Sequence, residues 1–303
     1  MSYTTVVILG GGPSDHRFDE AVVSAGAVVV DRVGGDEEKP VTDVIARTPD
    51  VAIIMPFQER PWVGVAEECL NAGIRHILVG GRFTPDKNLP VALRYLEIMA
   101  EEANKAEISF LPPERLWLGS EEAFIINQGT YGGNPWIDCR LVQSRRWLEV
   151  GVAESVGLGC WLLGQPPLNA EGRMKRGVYE AEAKVLLATA KFVGGGFLSL
   201  STDENNTLTS HVITVASRIR LLKTIGDPLI VTQPSGSWDY FAPVRGDGHT
   251  RAISSYLARL RGEDETQSPL LASIEEVMTA AKLYRAIWLS AEADGQTIEI
   301  DSG

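Results

Sequence analysis

The first 112 residues alternate between short continuous apolar runs and segments with helical spacing. Val6-Val7-Ile8-Leu9 is apolar and mostly β-branched, and it stops at Gly10-Gly11-Gly12. A helix-compatible segment follows, then Val28-Val29-Val30, closing on Asp31. A polar loop over 34–40 leads into a helix-compatible stretch, 41–47. Residues 50–55 form another continuous apolar run, ending at Pro56. Such runs read as buried parallel strands, because helices cover both faces of the sheet. Residues 61–72 read as a helix, with Pro61 near its first turn and Gly73 just past its end. Residues 76–79 and 108–111 read as strands. The helix predicted between them, 88–103, has Leu89, Ala92, Leu93, Leu96 and Met99 at helical spacing. This alternation predicts an α/β domain over 1–112, a Rossmann-type doubly wound parallel sheet.

The pattern changes near Glu114. Residues 115–127 are helix-like and lead to a glycine-rich turn, Gly129-Thr130-Tyr131-Gly132-Gly133-Asn134-Pro135. Strands are predicted at 136–142, 184–190, 196–201, 211–216, 218–224 and 229–232. Between the first two lies an apolar, glycine-rich stretch, 156–164, ending Trp161-Leu162-Leu163-Gly164. Helices return at 250–261 and 274–292, and 297–300 reads as a terminal strand. Many strands with few intervening helices predict an α+β domain over 113–303 with a mostly antiparallel open sheet.

Composition narrows the function classes. A chain of 303 residues exceeds the usual single core, so two domains are expected. The net charge of −12 argues against a nucleic-acid partner, which calls for a basic face. No apolar run reaches the length of a membrane span. The N-terminus enters a strand directly, without the basic region of a signal peptide. Cys69, Cys139 and Cys160 are odd in number and widely spaced, which gives neither a disulfide framework nor a metal pattern. A cytoplasmic protein with buried thiols and no metal is the expectation, and His76, His211 and His249 show no ligand-like spacing.

The opening segment carries the chemistry. Strand, glycine turn, helix, strand and acid form the βαβ unit that holds a dinucleotide. Gly10 allows a tight turn, and Gly12, followed by Pro13, lets the backbone approach the pyrophosphate. The helix that follows offers N–H donors and positive potential. Asp31 is placed to bond ribose hydroxyls, which favours NAD over NADP, whereas Arg32 beside it favours a 2′-phosphate. A plain strand-end acid is the other reading of Asp31. The third glycine position holds Asp15, whose carboxylate repels a pyrophosphate if it points inward.

With both halves in view, the chain resembles the Gfo/Idh/MocA family of NAD(P)-dependent oxidoreductases. The resemblance rests on Gly10-Gly11-Gly12 with His16, on Met55-Pro56, and on Ala72-Gly73-Ile74-Arg75-His76-Ile77-Leu78-Val79. It continues through Gly129-Thr130-Tyr131-Gly132, Trp161-Leu162-Leu163-Gly164 and the run 287–295 with its following strand. It implies an N-terminal Rossmann domain, a C-terminal domain whose sheet makes dimer or higher homo-oligomer contacts, and NAD or NADP as cofactor. Pro56 and Gly81 fall at cofactor-lining positions. The family's glutamate-lysine-proline is here Gly80-Gly81-Arg82, so the lysine position is Gly81. The general acid/base histidine is also replaced, by Glu154 in an ungapped count or by Ala153 with one inserted residue.

Each candidate at the reacting end has two readings. Arg82 is a ligand for a substrate carboxylate or phosphate, or a surface arginine; it is no proton donor, since its pKa stays above about 12. Glu154 is the titratable group near the lost histidine, an acid or base in apolar surroundings, or else a solvent-facing residue. Tyr131 is a proton donor to a substrate heteroatom, or packs at the domain boundary. The resemblance implies reduction or oxidation of a small sugar-like or secondary-metabolite substrate with a carbonyl, imine or conjugated system. The departures leave open a redox-silent enzyme (cyclisation, elimination or isomerisation) or a non-catalytic binding protein.

Overall fold

The computed structural model describes residues 3–11, 16–34, 41–55, 61–80, 88–117, 136–142, 148–176, 183–203, 210–216, 220–224, 229–232, 238–241, 248–263, 268 and 270–301. The chain forms two compact units. The first comprises Met1–Arg82, Asn88–Leu116 and Arg245–Glu275; the second comprises Phe83–Lys87, Trp117–Val244 and Glu276–Gly303.

In the first unit, strands β1 (Thr5–Leu9), β2 (Val28–Val33), β3 (Val51–Ile54), β4 (His76–Gly80) and β5 (Glu107–Leu111) form a parallel sheet in the order β2-β1-β3-β4-β5. Helices α1 (His16–Ser24), α2 (Val41–Ile45), α3 (Trp62–Asn71), α4 (Leu89–Glu102) and α5 (Pro113–Trp117) alternate with and follow these strands. The central strands are continuous apolar runs because neither face sees water: Val6 to Leu9, Val51 to Ile54 and Ile77 to Val79 are all buried. β2 lies at the sheet edge and admits the polar pair Asp31 and Arg32. It runs two residues beyond Asp31, so the second strand closes on Val33 rather than on the acid.

One segment departs from a single cut after residue 112. Helix α7 (Gly248–Leu260) returns to the first unit, beside α1. Its apolar stripe, Ala252, Ile253, Tyr256 and Leu257, is fully buried in one cluster with Phe18, Ala21 and Val22 of α1 and Val6, Ile8, Val51 and Ile53 of the sheet. Burial of this stripe gives the physical reason for the return, since Ile253 and Leu257 each contribute on the order of 1.5–3 kcal/mol. Ala272 then pairs with Phe110 of β5 through two backbone hydrogen bonds of 2.8 and 2.9 Å.

The second unit is built on a nine-stranded sheet among the described residues. Its strands are β6 (Trp136–Val142), β7 (Pro167–Arg176), β8 (Ala183–Phe192), β9 (Phe197–Asp203), β10 (Ser210–Ala216), β11 (Arg220–Thr224), β12 (Leu229–Thr232), β13 (Trp238–Phe241) and β14 (Ile298–Glu299). The order is β13-β12-β11-β10-β6-β9-β8-β7-β14, antiparallel apart from the β6–β9 pair. Helices α6 (Leu148–Leu163) and α8 (Ile274–Glu292) pack on one face. The glycine-rich stretch is thus helical as far as Leu163, and Gly164 ends the helix with φ +60°. Its Gly159 lies so near Leu198 that a Cβ would meet the leucine methyls at 2.9 Å, so glycine permits the close approach of helix and sheet.

Candidate functional site

An open parallel sheet presents ligands with the crevice outside its strand ends, where the strand order reverses. In this sheet that point lies between β1 and β3. The backbone there is turned by Gly10 and Gly11, both buried, with φ of +88° and +80°. L side chains rarely adopt such angles, so the run of glycines is a conformational requirement. The Gly10 N–H donates to the Val33 carbonyl at 2.7 Å, and the Met55 N–H donates to the Leu9 carbonyl at 2.7 Å. These bonds fix the turn against both neighbouring strands. Gly10 and Gly11 present no side chain at this point, which is what close approach of a dinucleotide pyrophosphate requires. Gly12, Pro13, Asp15, Pro56, Gly81, Arg82 and Tyr131 lie outside the described residues.

The floor beside this turn was not visible in the sequence. Met55 is 5% exposed, and a Cβ at Gly80 would meet its Sδ at 2.8 Å. The thioether thus fills the space a Gly80 side chain would need. Phe18 of α1 lies 3.8 Å from the same point, and its ring meets His249 edge-on with centroids 5.2 Å apart. His249 reaches this place only because α7 folds back onto the first unit. The amphipathic pattern of 250–261 signals a helix but not the sheet it covers.

Asp31 and Arg32 point to different partners. The Asp31 Oδ2 lies 3.0 Å from Arg47 Nη2, and its Oδ1 accepts the Arg32 N–H at 2.8 Å. The Arg32 Nη1 lies 2.6 Å from Asp19 Oδ2 on α1. In register Asp31 sits opposite Val7, and Val33 is the residue level with the end of β1. At about 3.3 Å per residue, Asp31 stands roughly 7 Å short of the strand end. This acid is paired with Arg47, an exposed residue of the turn after α2.

Glu154 lies in the middle of α6. It is 6% exposed, between Val152 and Val156, which are fully buried, so the solvent-facing reading does not hold. Cys69 is inert: burial, then Glu68 beside it, pushes its thiol up to about 12. Trp161 belongs to the core cluster of the second unit. Among the described residues, no group of three or more His, Cys, Asp or Glu side chains could hold a metal ion, and no helix is long and apolar enough to cross a membrane.

No protein-family model matches the sequence, and no curated protein matches it. Solved structures do match along nearly the whole chain. Levoglucosan dehydrogenase, in complex with NADH and L-sorbose, superposes with a TM-score of 0.78 at 12% identity, covering 99% of this chain and 100% of that one. The WlbA dehydrogenase of Bordetella pertussis, in complex with NADH and UDP-GlcNAcA, gives 0.75 at 15% identity, covering all of both chains. UDP-N-acetylglucosamine 3-dehydrogenase GnnA of Acidithiobacillus ferrooxidans gives 0.77 at 13% identity, covering 97% of this chain and 99% of that one. These neighbours are oxidoreductases of the Gfo/Idh/MocA type, and the fold implied by the sequence resemblance is the fold observed. At such identities the likeness is one of fold.

Proposed function

We propose that this chain is an NAD(P)-dependent oxidoreductase of the Gfo/Idh/MocA type, acting on a small sugar-like or secondary-metabolite substrate. The observation that carries the reading is the buried Gly10-Gly11 turn at the switch point of β1 and β3. It lies within a fold shared end to end with dehydrogenases, two of them captured with NADH. The bound nicotinamide would supply hydride transfer, and the protein positions and polarises. Gly10, Gly12 and Pro13 would form the pyrophosphate turn, with Pro56 and Gly81 lining the cofactor.

Hydride chemistry at a carbonyl or imine also needs a proton at the substrate heteroatom. Glu154 is our candidate for that acid, with Tyr131 as a second donor. Arg82 would bind a substrate anion, in keeping with the bidentate geometry of guanidinium. A homodimer or higher homo-oligomer through the second sheet belongs to the same proposal. Leu187, on the β8 face turned away from the helices, is 55% exposed and supports that reading. The redox-silent alternative has less support, since these structural neighbours are dehydrogenases.

The test is a fluorescence titration of the purified protein with NADH and NADPH. Saturable binding in the micromolar range is expected. No binding of either at millimolar concentration would overturn the proposal.

A further inference from the structure

At the other end of the parallel sheet, where the strands begin, lies a groove of about 770 Å³. Its walls are Tyr3 and Thr4 before β1, residues 48–51 leading into β3, residues 72–76 leading into β4, and Leu260 with Arg261 at the end of α7. The size falls within the range of small-molecule pockets. We infer that this groove is a second binding site, which takes a small organic anion (a carboxylate or a tetrahedral oxyanion) on Arg75 with His76 as its hydrogen-bonding neighbour.

The charged groups around the groove divide into committed and uncommitted ones. The Asp50 Oδ2 accepts the Thr5 N–H at 2.8 Å and the Thr5 hydroxyl at 2.7 Å. Arg261 donates through Nη1 to the Ala25 carbonyl at 2.7 Å, and through Nε and Nη2 to Glu263 at 2.8 Å each. Arg259, behind the wall, pairs with Glu107. Arg75 is exposed; its backbone carbonyl accepts the Glu107 N–H at 2.7 Å, while its guanidinium makes no hydrogen bond or ion pair among the described residues. An uncommitted guanidinium beside a groove contrasts with a chain whose net charge is −12.

His76 is half-buried in the same wall, and its Nδ1 is buried without a hydrogen-bond partner among the described residues. Burial, then the Arg259 charge, holds its pKa below the ordinary histidine value, while Asp50 pulls weakly the other way. The lowered pKa favours the neutral imidazole, and Arg75 lines the same groove. A bound anion reverses that balance, because a negative charge nearby favours the imidazolium. Thr48, at the groove's rim, has φ +49°, a strained angle for a β-branched residue. Strain of this kind is kept where surrounding structure imposes it, and it concentrates at ligand-binding turns.

The probes are sulfate and malonate, titrated separately into the full chain while the His76 imidazole signals are followed by NMR. Sulfate stands for a tetrahedral oxyanion and malonate for a carboxylate; neither changes charge between pH 7 and 8. With at least one of them the His76 signals should shift saturably and its pKa should rise. Arg75→Ala, which removes no described contact, should weaken that binding about tenfold or more, in line with loss of a charge-assisted bond. NADH binding should be the same in both proteins, so the outcome is separate from that of the proposed redox function. A shift linear in salt, no shift with either probe, or a saturable shift untouched by Arg75→Ala would each overturn the inference.

Discussion

The Asp31 carboxylate lies 3.0 Å from the Arg47 guanidinium, so the acid on edge strand β2 pairs with the turn that follows α2. The acid that the glycine fingerprint assigns to the ribose is thus held by a basic side chain of the same unit. Arg32, the residue that would favour a 2′-phosphate, is likewise held by Asp19. Asp31→Asn should therefore change the ratio of NADH to NADPH affinities by less than about threefold. Its effect on stability should be about 0–1 kcal/mol, since Arg47 is 55% exposed. A shift of tenfold or more toward NADPH, measured by titration of both cofactors, would show that Asp31 reads the ribose.

Glu154 tests the proton-transfer role. For any substrate the enzyme turns over, Glu154→Gln should lower kcat by about 10²-fold or more, the usual yield of a general acid. NADH affinity should stay unchanged, because glutamine preserves volume. Equal kcat in the variant would remove Glu154 from the mechanism.

His76 makes stability depend on pH in a defined direction. Its folded-state pKa lies below the unfolded value, so the unfolded chain binds the extra proton first. The stability it contributes is present above the unfolded pKa of about 6.5 and is lost as pH falls through the folded value. Wild type should lose more thermal stability between pH 7.5 and pH 5.5 than His76→Gln does. Identical losses would contradict the assignment.

Gly172 on β7 faces α8 at close range. A Cβ there would stand 2.6 Å from the Ile287 carbonyl oxygen, and the Gly172 N–H donates to Ser290 Oγ at 2.8 Å. Gly172→Ala should cost roughly 1–3 kcal/mol by forcing the helix from the sheet. Denaturant unfolding measures this; a neutral result would mean that α8 moves away without cost.

The strands of the first unit were legible because they are buried on both faces and so read as unbroken apolar runs. The end of β2 was not: Asp31 and Arg32 look like the close of a strand, yet an edge strand tolerates polar residues and continues to Val33. β7 is not legible because its inward positions, Ala170, Gly172 and Met174, give only a weak apolar alternation against Glu171 and Arg173. Helix α6 was obscured by glycines that serve packing, as at Gly159. The glycine turn was readable residue by residue. The Phe18, Met55, Gly80 and His249 cluster was not, since the return of α7 joins positions more than two hundred residues apart.

The central claim is that the Gly10-Gly11 turn still serves a nicotinamide dinucleotide. Titration of the protein with NADH and NADPH, set beside a Gly10→Val variant, tests it most directly. Valine disfavours the +88° backbone angle and so spoils the turn. The variant's circular dichroism spectrum serves as the check that it remains folded. Micromolar binding by the wild type, weakened at least about tenfold in a folded variant, is the expected result. Absence of binding in the wild type, or equal binding by both proteins, would contradict the account.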